Sequence, residues 1–293
     1  MKLQFIEQTF ISAHAPFRES KIVILGCPFD GSASFRPGAR FGPPQIRKAS
    51  WGIETFSPYS GRDLSQLLLH DMGDLELPLG EKKTSLDLIR KALRKILSRK
   101  KFPILLGGDH LITLPIVEEL LQIHGDLHLI QIDAHADLRE DYLGETRSHC
   151  TVMKRIVDHL GEGRIFQIGI RSGTEGEFNL AKQMKSIVSL HQGSLRTMVK
   201  RVRNKPIYVT LDLDVIDPSL LPGVGTPEPG GLTFQGFLAL LKELQSLHVV
   251  GFDMVELTPD YDPTGISSVT ASVILREMIL SFCFKGSQME CDH

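Results

Sequence analysis

LHLIQIDAHAD, residues 127–137, carries both the fold and the chemistry of this chain. Its first half is an almost continuous apolar run, as expected of a strand covered on both faces. Its second half offers Asp133, His135 and Asp137 at every second position. At the end of an extended strand these residues share one face, with roughly 6.6 Å between neighbours. Buried Asp and His are costly without partners, and carboxylates on one face repel and raise each other's pKa. Something positive should sit among them. Unless the chain bends, the spacing is too long for one tight cage. It suits two cations about 3.5–4 Å apart, with one carboxylate bridging them.

Seven further segments read as strands: KIVILG (21–26), LLLHD (67–71), PILLGG (103–108), RIFQIGI (164–170), SIVSL (186–190), PIYVTLDLD (206–214) and HVVGFD (248–253). Helical patterns lie between them. In SLDLIRKALRKIL, Leu86, Ile89, Leu93 and Ile96 form one stripe, and Thr84 or Ser85 is the expected cap. LITLPIVEELLQI, the segment 150–160, FQGFLALLKELQSL and SSVTASVILREMILSF behave similarly. Strand–helix alternation predicts one α/β domain over residues 1–293. It would hold a mostly parallel sheet of roughly eight strands with helices on both faces, three layers in all.

The chain has 293 residues, 42% hydrophobic and 23% charged, with a formal charge of -2. This balance argues against nucleic acid and anionic membranes as partners. Cys27, Cys150, Cys283 and Cys291 are scattered, without metal-finger spacing. That pattern fits a reducing, cytoplasmic setting. MKLQFIEQTF lacks the apolar core of a signal peptide. No apolar run approaches the roughly 18–20 residues of a membrane span.

In open α/β sheets, function collects at the carboxyl ends of the strands. PILLGG runs into Asp109-His110, PIYVTL into Asp212 and Asp214, and HVVGFDMV into Glu256. Alone, His110 reads as structural and Asp212 with Asp214 as a capped turn. Together with the 133–137 stretch, they offer hard oxygen and two imidazoles to two divalent cations, Mn rather than structural Zn.

GGDH (107–110), DAHAD (133–137) and LDLDVIDP (211–218), in that order, resemble the three metal motifs of the ureohydrolase family of arginases, agmatinases and their relatives. GSASFRPGARFGPPQIRKAS (31–50) resembles the N-terminal loop of the agmatinases. GVGTPEPGGLT (223–233) and GFDMVELTPDYDPT (251–264) are also similar to agmatinase segments. Thr210 stands where the family often has Ser, and it keeps the hydroxyl. The resemblance implies an arginase-like fold and two Mn2+ ions. His110, Asp133, Asp137 and Asp212 would hold one, and Asp133, His135, Asp212 and Asp214 the other. Asp217 is not a ligand by this resemblance and should hold the turn before Pro218.

The chemistry expected is hydrolysis of a guanidinium group. Two cations would acidify a water they share, giving a bridging hydroxide near neutral pH. The resemblance assigns Glu256 to orienting the guanidinium through paired hydrogen bonds and His149 to shuttling a proton to the leaving amine. Asp137 could relay the proton of the nucleophile. Cys150 is not required as a nucleophile.

Two rivals fall away. A two-metal phosphoesterase would place its DxH stretch first and end on GNH. A non-catalytic protein on this fold would not need all six ligands with His149 and Glu256. Arginases read the substrate's α-carboxylate with Asn and Ser after DAHxD, whereas this chain has LREDYLGETRSH there. Arg139 replaces the first such Asn, and its expected place is in solvent. Glu228 adds acid near the pocket as a candidate substrate-binding residue. The expected partner is therefore a small cationic guanidine. Agmatine is the first choice, yielding putrescine and urea, a step of polyamine synthesis. Aminopropylagmatine, guanidinobutyrate and arginine are the alternatives. Relatives form homotrimers or homohexamers, and the same is expected here.

Overall fold

The computed structural model describes residues 8–284; Cys291 and residues 1–7 lie outside them. Among the described residues, eight strands form the main sheet: β1 (Ile22–Cys27), β4 (Leu69–Asp74), β5 (Phe102–Gly107), β6 (His128–Ile132), β7 (Ile165–Ile168), β8 (Ile187–Val188), β9 (Ile207–Asp212) and β10 (Val249–Val255). A two-residue pair, β2 (Phe56–Ser57) and β3 (Arg62–Asp63), forms a separate antiparallel ribbon. The main sheet runs β4-β1-β5-β10-β9-β6-β7-β8, and its pairings are parallel throughout. Each segment read from the sequence as a strand corresponds to one of these eight.

Parallel strands need helical crossovers, and these cover both faces. On one face, Val23, Leu25, Leu105 and Leu129 meet α2 (Lys82–Leu97), α3 (Thr113–Ile123), α4 (Val152–Leu160) and α5 (Glu175–Met184). On the other, Ile24, Ile104, Ile130 and Val209 meet α1 (Gly42–Ser50), α6 (Gln192–Val202), α7 (Phe234–Leu244) and α8 (Ile266–Phe282). Successive residues of one strand thus enter opposite cores, so no polar alternation shows in the sequence.

Two expectations need correction. The stripe Leu86, Ile89, Leu93 and Ile96 is buried as read, but α2 begins at Lys82. Thr84 and Ser85 lie inside it, and its N-cap is Glu81, which makes no side-chain cap bond. The 31–50 stretch is not all loop, since GPPQIRKAS forms α1. Proline is tolerated in the first turn, where its missing N–H would be unpaired anyway. α1 is fixed by buried Arg47, whose Nε and Nη2 reach the two oxygens of Asp71 at 2.8 and 2.9 Å.

The carboxyl ends of β5, β10, β9 and β6 lie side by side in the middle of the sheet. Gly108 lets the β5 end approach the chain at Phe29, where a Cβ would collide with the Phe29 carbonyl. The Asp109 amide donates to that carbonyl at 2.6 Å. This contact brings the 28–36 loop over the same end of the sheet.

Candidate active site

β5 delivers His110, β6 delivers Asp133 and the 133–137 turn, β9 delivers Asp212 and Asp214, and β10 delivers Glu256. His110, Asp133 and Asp212 each direct one ligand-type atom into a cluster less than 4.8 Å across. Asp133, His135 and Asp214 form a second such cluster, so Asp133 belongs to both. Asp137 adds an oxygen 3.1 Å from His110 Nδ1. The six residues named as ligands from the sequence therefore stand together.

The donor set fits a pair of divalent cations. Among the described residues, His110 Nδ1 is buried with no hydrogen-bond partner, although Asp133, Asp137 and Asp212 oxygens lie 3.1–3.5 Å away. Thr210 Oγ1 donates to Asp253 Oδ1 at 2.5 Å, so it can only accept from His110 Nε2 at 2.8 Å. That bond fixes Nε2 as the protonated nitrogen and turns Nδ1 toward the carboxylates. Without cations, protons substitute for them. Burial opposes the charge on His135, but Asp214 at 2.8 Å outweighs it and raises the imidazole to about 10. Burial and Asp133 push Asp137 up to about 7. Burial, then Asp214 and Asp133, drive Asp212 well above the usual carboxylate range.

Supporting polar residues inside the strands orient this set, and of these the sequence reading noted only the Thr210 hydroxyl. Gln131 Nε2 donates to Asp133 Oδ2 at 2.7 Å, while Gln167 Nε2 donates to Gln131 Oε1 at 2.7 Å. Asp253 collects Tyr208, Thr210 and Thr113 hydroxyls. The available signal was a polar residue inside each apolar run: Gln131, Gln167, Thr210 and Asp253. Arg171 clamps the loop after β9 through the carbonyls of Asp214 and Glu228, each at 2.7 Å. Asp217 accepts from Ser219, Gly230 and Gly231, holding that loop's turns rather than entering the cluster.

A cavity of about 200 Å³ opens above the ligands and is lined also by His149, Glu256 and Arg139. Glu256 Oε1 accepts the His110 amide at 2.8 Å. Burial and neighbouring Asp109 push its carboxyl well above the ordinary range. His149 is fixed by the 28–36 loop: Ser32 Oγ accepts its amide at 2.9 Å, and Ser34 Oγ lies 3.0 Å from Nε2. Ser32 in turn donates its amide and hydroxyl to Asp109 Oδ2. Burial lowers His149 to about 4, keeping a neutral imidazole at the cavity. Burial also raises the Cys150 thiol, which disfavours a thiolate.

Arg139 departs from expectation. It is not simply in solvent but lines the cavity, with Nε 3.5 Å from Glu177 Oε2 and Cζ 5.2 Å from the Tyr142 ring centre. Glu228 is not among the residues lining the cavity. Its Oε1 accepts from Ser172 Oγ at 2.7 Å and lies 3.7 Å from the outer nitrogen of His135.

Residues 20–281 match the arginase family model. The chain belongs to the arginase family. An agmatinase of Bacillus cereus is 41% identical over 94% of this chain and 96% of its own length. A guanidinobutyrase of Pseudomonas aeruginosa is 36% identical over 87% of this chain and 84% of its own. A crystal structure from Clostridium difficile is 42% identical, covers 91% of this chain and 98% of its own, and superposes with a TM-score of 0.87. As an arginase-family protein the chain is a ureohydrolase; the family depends on a metal pair, and the two His–Asp clusters of this chain offer ligand atoms suited to holding one. The eight-stranded parallel sheet is the arginase fold. Among the described residues of this family member, no helix is long and apolar enough to cross a membrane.

Proposed function

We propose that the protein hydrolyses agmatine to putrescine and urea in the cytoplasm, with two Mn2+ ions, as a homotrimer or homohexamer. The observation that carries this reading is one cavity into which the two His–Asp clusters and Glu256 open together. The 41% identity to the Bacillus cereus agmatinase supports the choice of substrate. When bound, the metal pair would supply Lewis-acid activation of water for attack on the guanidinium carbon. His110, Asp133, Asp137 and Asp212 would hold one ion, and Asp133, His135, Asp212 and Asp214 the other. Glu256 orients the guanidinium by paired, charge-assisted hydrogen bonds. His149, neutral and held by Ser32 and Ser34, carries a proton toward the leaving amine. Asp137 accepts a proton from the attacking water. Glu228, behind His135, adds negative charge that favours an amine tail.

Agmatine and arginine share the guanidinium, so the far end of the cavity must separate them. An arginine carboxylate there would be desolvated beside an Arg139 already paired with Glu177. Incompletely paired buried charge costs several kcal/mol. We expect kcat/KM for agmatine to exceed that for arginine by at least about 10³. Urea release from both substrates, at equal Mn and pH, tests this. A ratio below about ten would refute the agmatine reading.

A further inference from the structure

Arg139 sets a permanent positive charge in the wall of a cavity whose proposed substrate carries a positive tail. Among the described residues lining that cavity it is the only Lys or Arg. Once the carboxylate cluster is matched by cations and Glu256 by the guanidinium, the remaining walls are uncharged apart from Arg139. Ser34, Tyr142, Ser172 and Thr226 among them carry no charge. Left alone, Arg139 would select for a carboxylate tail and against an ammonium.

It is not left alone. Glu177 lies behind it with a side chain only 4% exposed, its Oε2 3.5 Å from Arg139 Nε. The same carboxylate is locked from two other directions. Oε2 accepts from Thr174 N at 2.8 Å and Thr174 Oγ1 at 2.9 Å, closing the capping box of α5. Oε1 accepts from Leu138 N at 3.0 Å, tying down the turn that follows the 133–137 ligands. Glu177 therefore cannot swing into the cavity to meet substrate. Its negative charge stays beside Arg139 whatever is bound.

We propose that Glu177 sets the tail-charge specificity of the cavity: by cancelling Arg139 from behind, it makes the cavity accept guanidines ending in an ammonium over those ending in a carboxylate. Glu177 is a positioning residue that acts through Arg139. The inference rests on the agmatine reading and adds to it a device by which that choice is made. It also accounts for a cation where an amine must pass.

A purely structural cap would affect all substrates alike, so the test reads a ratio. Agmatine and 4-guanidinobutyrate share the guanidinium and have tails of opposite charge. kcat and KM are measured for both with the full-length, Mn-loaded protein and its variants. Glu177→Gln keeps the size of the side chain and leaves Arg139 uncancelled. The agmatine-to-guanidinobutyrate ratio of kcat/KM should fall at least about tenfold, through opposite shifts in the two KM values. Arg139→Gln leaves Glu177 in excess and should raise the ratio by a similar factor. The double variant should return it to within about threefold of wild type, because the two charges act as a unit. If Glu177→Gln does not fold, Arg139→Gln decides alone, and an unchanged ratio overturns the inference. Equal losses on both substrates in Glu177→Gln, with no change of ratio in Arg139→Gln, also overturn it while leaving the agmatine reading intact. A wild-type enzyme that prefers guanidinobutyrate overturns both.

Discussion

Replacing Thr210 with Val removes one buried hydroxyl and tests whether the metal centre is tuned from inside the sheet. The hydroxyl accepts from His110 Nε2 at 2.8 Å and donates to Asp253 Oδ1 at 2.5 Å. Asp253 keeps Tyr208 and Thr113, but both donate to Oδ2, so Oδ1 loses its donor. His110 Nε2–H is left without an acceptor in a fully buried position. An unsatisfied buried polar group costs about 1–3 kcal/mol. Loss of such an outer partner of a metal-binding histidine typically weakens metal affinity about 10–100-fold. We therefore expect the Mn dissociation constant of the site that uses His110 to rise about 10–100-fold. The site that uses His135 and Asp214 does not touch Thr210 and feels the change only through the shared Asp133 and Asp212, so its affinity should fall less than that of the His110 site. Equilibrium dialysis followed by elemental analysis resolves the two. Two ions bound at wild-type affinity, with only the melting temperature lowered, would show that Thr210 stabilises the sheet without tuning the metal.

His135→Asn removes an imidazole of the second cluster and should leave about one Mn per chain with strongly reduced urea release, as elemental analysis and assay of the same sample will report. Glu256→Gln should lower kcat/KM at least about tenfold with metal content unchanged, since only the charge-assisted pair to substrate is lost; near-wild-type kinetics would remove Glu256 from its role. Mn binding at pH 8 should release at least one proton per chain, measured by calorimetry in buffers of different ionisation enthalpy, because His135 is raised to about 10 without metal and must be neutral to ligate. The signs oppose: in metal-free protein, the stability contributed by His135 is complete below 6.5 and lost as pH rises toward about 10, whereas Mn affinity rises over that window.

The strands were legible because burial on both faces leaves a simple mark, a short run of Ile, Val and Leu ending in polar residues. The helices were less so. α1 carries Pro43 and Pro44 directly after its first residue, Gly42, and proline, which breaks a helix interior, is compatible with a helix only in such a first turn. α5 and α6 cover the sheet with few large apolar residues. Ala181 and Met184 are buried from α5, and Leu195, Met198 and Val202 from α6. Their periodic signal is correspondingly weak. The cap of α2 failed because any Thr or Ser near a helix start looks like a cap, while the first turn is set by where the chain leaves the preceding loop.

That the six candidate ligands would be brought together was legible, and what holds them was not, for a reason of sequence distance. The bond from His110 to Thr210 spans 100 residues and that from Thr210 to Asp253 spans 43. Neither residue carries a motif that names its partner. Backbone conformation is hidden in the same way. Asp137 and Glu256 both adopt left-handed φ, 53° and 68°, at a cost of about 1–3 kcal/mol each for residues with a Cβ. Each is held there by bonds to distant elements. The Asp137 carbonyl accepts from Met153 N and Lys154 N, and Glu256 N donates to Gly108 O. These are also the residues proposed to move the water's proton and to hold the guanidinium. A glycine at either position would relieve the backbone and lose the carboxylate, so the strain is retained where the side chain is needed. The same distance hid Glu177: 38 residues separate it from Arg139, and only the packing of α5 against the turn after Asp137 joins them.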